Sequence, residues 1–230
     1  MVEGANDLLM SNFQENSRKE CIFKCEISEL AKTASICLNN KQLDELEIHN
    51  NLLESWGRKI NLTAIQRSGE LLRRHFLESL IAGHLLLTYG ASGALMDLGS
   101  GNGFPGVPMG VLCRNARPLV LVESSQKRAA FLRALLRELR WDQARVDVRR
   151  VTGDSNLLDL RCRLFTSRGV NVGKLVQAGL PFLEAGGFCV LFGSVRNLEL
   201  EAGPLPECLL LKEVVPLPGR QTGILLLQRY

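Results

Sequence analysis

The sequence predicts an α/β fold, a twisted sheet covered by helices. Three observations lead there. Apolar runs of strand length, at 94–98, 119–122 and 188–192, alternate with longer stretches whose apolar residues recur at helical spacing. A glycine-rich turn, Gly99 to Gly106, directly follows the first run. The chain of 230 residues is 46% hydrophobic and 23% charged, which suits an ordinary globular protein and argues against disorder.

The N-terminal part reads as helical. Residues 1–25 lack sustained periodicity and are expected to be a tail. Residues 26–37 place Ile27, Leu30, Ala31 and Ala34 on one side of a short helix. Asn39 and Asn40 offer a cap for a longer one. There Leu43, Leu46, Leu53 and Trp56, with Ile48 and Leu52, form an apolar stripe that is expected to stop near Gly57. In 60–65, Asn61 and Thr63 sit between apolar anchors and point one way. A helix over 68–87 would turn Leu72, Phe76, Leu80 and Leu87 inward. His75, beside Arg73 and Arg74, is either a hydrogen-bonded structural residue or part of a pocket rim. Domain bounds follow: a tail (1–25), a helical extension (26–90) and a main domain (91–230).

The main domain opens on the stretch that organises the chain. Ala94, Leu95, Met96 and Leu98 form a buried strand. Gly99, Gly101, Gly103 and Gly106 follow, and Pro105 suits the first turn of a helix. Two patterns overlap here. Gly101-x-Gly103-x-x-Gly106 fits the dinucleotide fingerprint. Asp97-x-Gly99-x-Gly101-x-Gly103 fits the first motif of S-adenosylmethionine-dependent methyltransferases, and it alone explains Asp97.

Leu119–Val122 is the second strand, with Glu123 at its end. A carboxylate there can accept from both hydroxyls of an adenosine ribose; the alternative is an acid at a helix N-terminus. Residues 126–140 form an amphipathic helix. Its Ala129, Phe131, Leu132, Leu135, Leu136 and Leu139 pack, while Lys127, Arg128, Arg133, Arg137 and Arg140 stay wet. Residues 146–151 alternate as a third strand. The loop after it flanks an adenine edge in such folds, and Asp154 is either an acceptor there or a helix cap. Residues 163–168 form a fourth strand beside the first, which puts Arg168 at a central strand end. A helix over 172–183, a strand over 188–192 and an antiparallel hairpin of 208–211 with 223–228 complete the order.

Charge and cysteines bound the partners. Net charge is +4, yet residues 127–168 carry eleven Lys/Arg against five Asp/Glu. That basic face suits a polyanion such as RNA, or is simply a solvated surface. The seven cysteines are odd in number and irregularly spaced. Cys21 and Cys25 have no second pair downstream, so no metal site is expected. No apolar run spans a bilayer and no secretory signal is evident, so a cytoplasmic protein with reduced thiols is expected.

The chain resembles the bacterial small-subunit rRNA guanine-N7 methyltransferases, the RsmG or glucose-inhibited division protein B family. The resemblance rests on Asn61-Leu-Thr-Ala-Ile65, His75-Phe-Leu-Glu-Ser79, the words from Asp97 to Pro108, Glu123-Ser with Lys127-Arg128 and Phe131-Leu132, and Thr166-Ser-Arg168. They span about residues 40–195. The resemblance implies a class I (Rossmann-like) methyltransferase fold with a helical N-terminal extension. It implies S-adenosylmethionine as donor and a guanine near the decoding centre of 16S rRNA, or of the 30S subunit, as acceptor. Asp97, Gly99, Gly101, Gly103, Phe104, Glu123, Val151, Thr152 and Arg168 would then form the cofactor site. Arg168 would act by positioning, on a phosphate or the cofactor carboxylate. Asn61, His75 and Asp154 would stand at the rim, and Lys127, Arg128, Arg133 and Arg137 would meet RNA. A monomer is expected. Two departures stand out. The family usually has glutamate where this chain has Thr152, and the stretch from Gly169 leaves its pattern. An NAD-binding oxidoreductase and a catalytically inactive rRNA-binding assembly factor remain as alternatives.

Overall fold

The computed structural model describes residues 22–60, 68–114, 118–151, 161–168, 172–194, 205–217 and 222–230. The helices come first. Helix α1 occupies 22–33, so the end of the expected tail is helical. Its Phe23 is buried against Phe76, ring centroids 5.4 Å apart. Helix α2 (Asn40–Ile60) starts with a reciprocal cap: Asn39 Oδ1 accepts from Gln42 N, and Gln42 Oε1 accepts from Asn39 N, both at 2.9 Å. It runs past Gly57, where a Cβ would meet nothing within 4 Å. A glycine there weakens the helix without ending it.

The next rod has three parts: α3 (Ser68–Leu71), a π-helical stretch (Leu72–Leu77) and α4 (Glu78–Thr88). Leu72, Phe76 and Leu80 are buried as expected, but Leu87 is 37% exposed. The wider π turn shifts the register, and Leu85 and Leu86 take the inward positions instead.

The sheet has seven strands in the order β3-β2-β1-β4-β5-β7-β6. They are β1 (Leu95–Leu98), β2 (Leu119–Val122), β3 (Ala144–Asp147), β4 (Cys162–Arg168), β5 (Leu183–Ser194), β6 (Leu209–Pro216) and β7 (Thr222–Arg229). The first five run parallel, and β7 is antiparallel to both its neighbours. Helices α5 (Gly106–Leu112) and α6 (Gln126–Glu138) lie on one face with α1, α2 and α4, sharing a core that includes Leu46, Phe76, Phe104 and Phe131. Helix α7 (Val172–Gly179) covers the other face through Leu175 and Val176, packed with Met96 and Phe165.

Further element bounds depart from expectation: β5 is longer than 188–192 at both ends, and β6 runs past 211 to Pro216. Strand β3 begins at Ala144 and ends at Asp147, because its partner β2 stops at Val122, paired with Asp147. Helix α7 ends at Gly179 rather than at 183: Leu183 pairs with Cys162, which draws the chain into β5. Among the described residues no helix is long and apolar enough to cross a membrane.

Candidate functional site

The sheet changes winding direction between β1 and β4, and ligands of such sheets bind beyond the strand ends at that point. A cavity of about 420 Å³ opens there. Leu98, Gly99, Val122, Ser124 and Ser167 line it from three strand ends, Val151 from the end beyond β3, and Leu175 and Ala178 from α7. Arg149, Arg150 and Lys174 add positive charge to its wall.

The glycine loop is built on backbone angles that side chains disfavour. Gly99, Gly101 and Gly103 have φ of +74°, +55° and +86°. Gly99 N and Ser100 N both donate to Val122 O, at 2.8 and 3.0 Å, which fastens the loop to β2. Asp97 is fully buried beneath the loop, and its Oδ2 accepts from Gly106 N at 3.0 Å. A Cβ at Gly106 would lie 2.6 Å from that oxygen, so only glycine allows the approach. Asp97 Oδ1 is buried with no hydrogen-bond partner among the described residues. Burial pushes this carboxyl up to about 7 against the lowering effects of the Gly106 N–H, Ser100 and Arg168. Such an oxygen suits a bound donor.

Glu123 is 4% exposed. Its Oε2 accepts from Gly101 N at 2.9 Å and its Oε1 from Ser125 N at 2.8 Å. Each oxygen keeps a further lone pair for a ligand hydroxyl. The carboxylate therefore ties the glycine loop to the end of β2, between Val122 and Ser124, which line the cavity.

The structure divides the remaining candidates. Gly99 and Val151 line the cavity. Phe104 does not: its ring stacks on His49 at 4.6 Å and lies 5.0 Å from Phe76 and 4.9 Å from His75. Arg168 is held at the end of β4. Its Nη2 pairs with Glu78 Oε2 at 3.1 Å, its Nη1 donates to the Arg74 carbonyl, and its guanidinium lies 4.2 Å over the Phe192 ring. His75 Nδ1 is 3.5 Å from Arg168 Nη1, so the two expected residues do meet. Lys127, Arg128, Arg133 and Arg137 are exposed on α6. Asn61, Thr152 and Asp154 lie outside the described residues, as do 169–171, where the family pattern is left.

Sequence reasoning missed a set of polar side chains on α2. Gln42, Glu45, His49 and Asn50 are all at most 8% exposed. Glu45 accepts from Arg114 at 2.5 Å and from Trp141 Nε1 at 3.2 Å. His49 Nε2 donates to Asn102 O in the glycine loop at 2.7 Å, and burial lowers its imidazole to about 4. The available signal was position: residues 42, 45 and 49 share the helical stripe of Leu46 and Leu53.

Sheet order, switch-point cavity and glycine loop together define the class I methyltransferase fold. It is shared with the ribosomal protein L11 methylase of Lactobacillus delbrueckii subsp. bulgaricus, at TM-score 0.54 and 11% identity over 66% of this chain and 79% of that one. A branched-chain polyamine synthase of Thermus thermophilus is also similar, at TM-score 0.57 and 12% identity over 80% and 63%. The chain belongs to the GidB family, rRNA small subunit methyltransferase G, whose family model matches residues 42–215. A relative of that name from Stenotrophomonas maltophilia is 35% identical over 73% of this chain and 77% of its own. One from Clostridium botulinum (strain ATCC 19397 / Type A) is 32% identical over 66% of this chain, and the match spans 64% of that relative's length.

Proposed function

We propose that this protein is an S-adenosylmethionine-dependent methyltransferase acting on guanine N7 of 16S rRNA in the small ribosomal subunit. The observation that carries it is the glycine loop of a GidB-family chain, held between a buried Asp97 with an open oxygen and a Glu123 at the end of β2. Bound S-adenosylmethionine supplies an electrophilic methyl group. Asp97, Gly99, Gly101, Gly103, Glu123, Val151 and Thr152 would hold it, with Glu123 on the ribose. Phe104 supports the loop from behind, and Asn61 and Asp154, outside the described residues, would stand at the rim. Guanine N7 presents a lone pair, so no general base is required and the residues' task is alignment. Arg168 cannot serve as a base, because its pKa is too high. Tied to Glu78 and the Arg74 carbonyl, it fixes the end of β4 beside the acceptor side, with His75 next to it. Exposed Lys127, Arg128, Arg133 and Arg137 offer phosphate contacts to the rRNA.

The oxidoreductase alternative is disfavoured by the sheet. A dinucleotide fold continues in parallel after its fifth strand, whereas here β7 enters antiparallel beside β5. The test is transfer of labelled methyl groups to 30S subunits and to naked 16S rRNA from a strain lacking this modification, with the N7-methylguanine mapped. Glu123→Ala should weaken cofactor binding at least tenfold, since two charge-assisted hydrogen bonds of about 1.5–3 kcal/mol each are lost. Cofactor binding without methyl transfer to either RNA would favour the assembly-factor reading. Unchanged affinity of the variant by calorimetry would remove Glu123 from the site.

A further inference from the structure

We propose that His49 is a positioning residue for the cofactor site, holding residues 102–104 of the glycine loop in place from helix α2. This rests on the cofactor reading above. His49 lies outside the cavity and is fully buried. Its Nε2–H donates to the Asn102 carbonyl at 2.7 Å. Its ring stacks on Phe104 at 4.6 Å with 24° between the planes, and meets the Phe76 ring edge-on at 5.3 Å. A Cβ at Gly103 would sit 3.2 Å from His49 Cε1 and Nε2. Asn102 and Phe104 thus contact one side chain of α2, and the glycine between them leaves little room for a side chain against that ring.

Packing alone does not account for an imidazole here. His49 Nδ1 has no hydrogen-bond partner among the described residues, so burying the ring costs desolvation and leaves an acceptor unmet. A phenyl or leucine side chain would fill the space without that cost. The one polar return is the bond to Asn102 O. That bond acts on the loop's outer turn, where Gly103 N in turn donates to Ser100 O at 2.7 Å. Ser100 Oγ donates to the Asp97 carbonyl at 2.8 Å, which closes a path from α2 to the acid of the site.

The experiment compares His49→Phe, which keeps a ring and removes the donor, with His49→Gln, which keeps a donor near the Nε2 position. The first readout is hydrogen exchange in the ligand-free full chain, and the second is S-adenosylmethionine affinity by calorimetry. His49→Phe should speed exchange across 99–106 while leaving α6 and β5 unchanged, and weaken the cofactor by about fivefold to tenfold, the loss of one hydrogen bond. His49→Gln should return both readouts to within about twofold of the parent. Loop exchange in His49→Phe equal to the parent would overturn the proposal. So would equal acceleration over the whole molecule in both variants, the mark of a merely structural residue. A parent protein that fails to bind S-adenosylmethionine would instead sink the proposed function, while the exchange comparison still decides the role of His49.

Discussion

Asp97 shows how the burial of a single carboxyl costs stability at neutral pH. Its carboxyl is held up at about 7, against 3.8 ordinarily, by burial. The groups facing it are the Gly106 N–H, Ser100, Arg168 and Glu123. Because the folded value is raised, the folded state keeps a proton that the unfolded chain gives up above about pH 4. The associated stability is fully present at low pH and is lost as pH rises to about 7. At 1.36 kcal/mol per unit, the loss is on the order of 4 kcal/mol. Asp97→Asn has no such proton to lose. It should be more stable than the parent at pH 8 by about 1–3 kcal/mol, with the advantage vanishing near pH 4. It should also bind S-adenosylmethionine more weakly. Denaturant midpoints across that range check the first expectation and calorimetry the second. An advantage that grows toward low pH would mean that the carboxyl is not held protonated.

At the scale of elements, charge and register on two helices set what the surface offers and how β4 ends. Helix α6 is capped by Ser125 and buries Phe131, Leu132 and Leu135 while exposing Lys127, Arg128, Arg133 and Arg137. Replacing Arg133 and Arg137 together by Glu should weaken 16S rRNA binding and flatten its salt dependence by about 1.4 in slope, two phosphate contacts at ~0.7 each. Cofactor affinity should stay unchanged. An unaltered slope would place the RNA elsewhere. The π-helical stretch serves a different end. Its backbone directs the Arg74 carbonyl at Arg168, and the next turn brings Glu78 to the same guanidinium. A helical rod from the extension is thereby keyed to the end of the central strand β4.

At the scale of the molecule, the N-terminal helices are wired into the sheet domain. Glu45 on α2 joins Arg114, past the end of α5, and Trp141, just before β3. Gln42 Nε2 reaches Val111 O, and Lys24 on α1 pairs with Glu47 and Asp44 on α2. Extension and sheet should therefore unfold together. Glu45→Ala removes the bonds to the Trp141 indole N–H and to Arg114 and should cost about 1–3 kcal/mol in one cooperative transition. Tryptophan fluorescence reports on both sides, since Trp56 lies on α2 and Trp141 precedes β3. Two separated transitions in the parent would show that the extension folds as its own unit.

The sequence by itself determined what is local. The unit of β1, glycine loop and α5, the strand β2 with Glu123 just after it, and the two-faced helix α6 were legible because each rests on spacing within about fifteen residues. β-strand alternation, glycine angles and helical stripes are properties of short segments. Only the tertiary structure decided which way Phe104 turns, what Arg168 holds, and that His49 and Glu45 are interior. Those depend on contacts between residues 24 to 96 positions apart, such as Arg168 with Phe192, His49 with Asn102 and Glu45 with Trp141. Taken by hydropathy, polar residues on α2 belong in water. They are buried because the fold brings donors and acceptors to them, and a buried polar group is tolerated where such a partner exists.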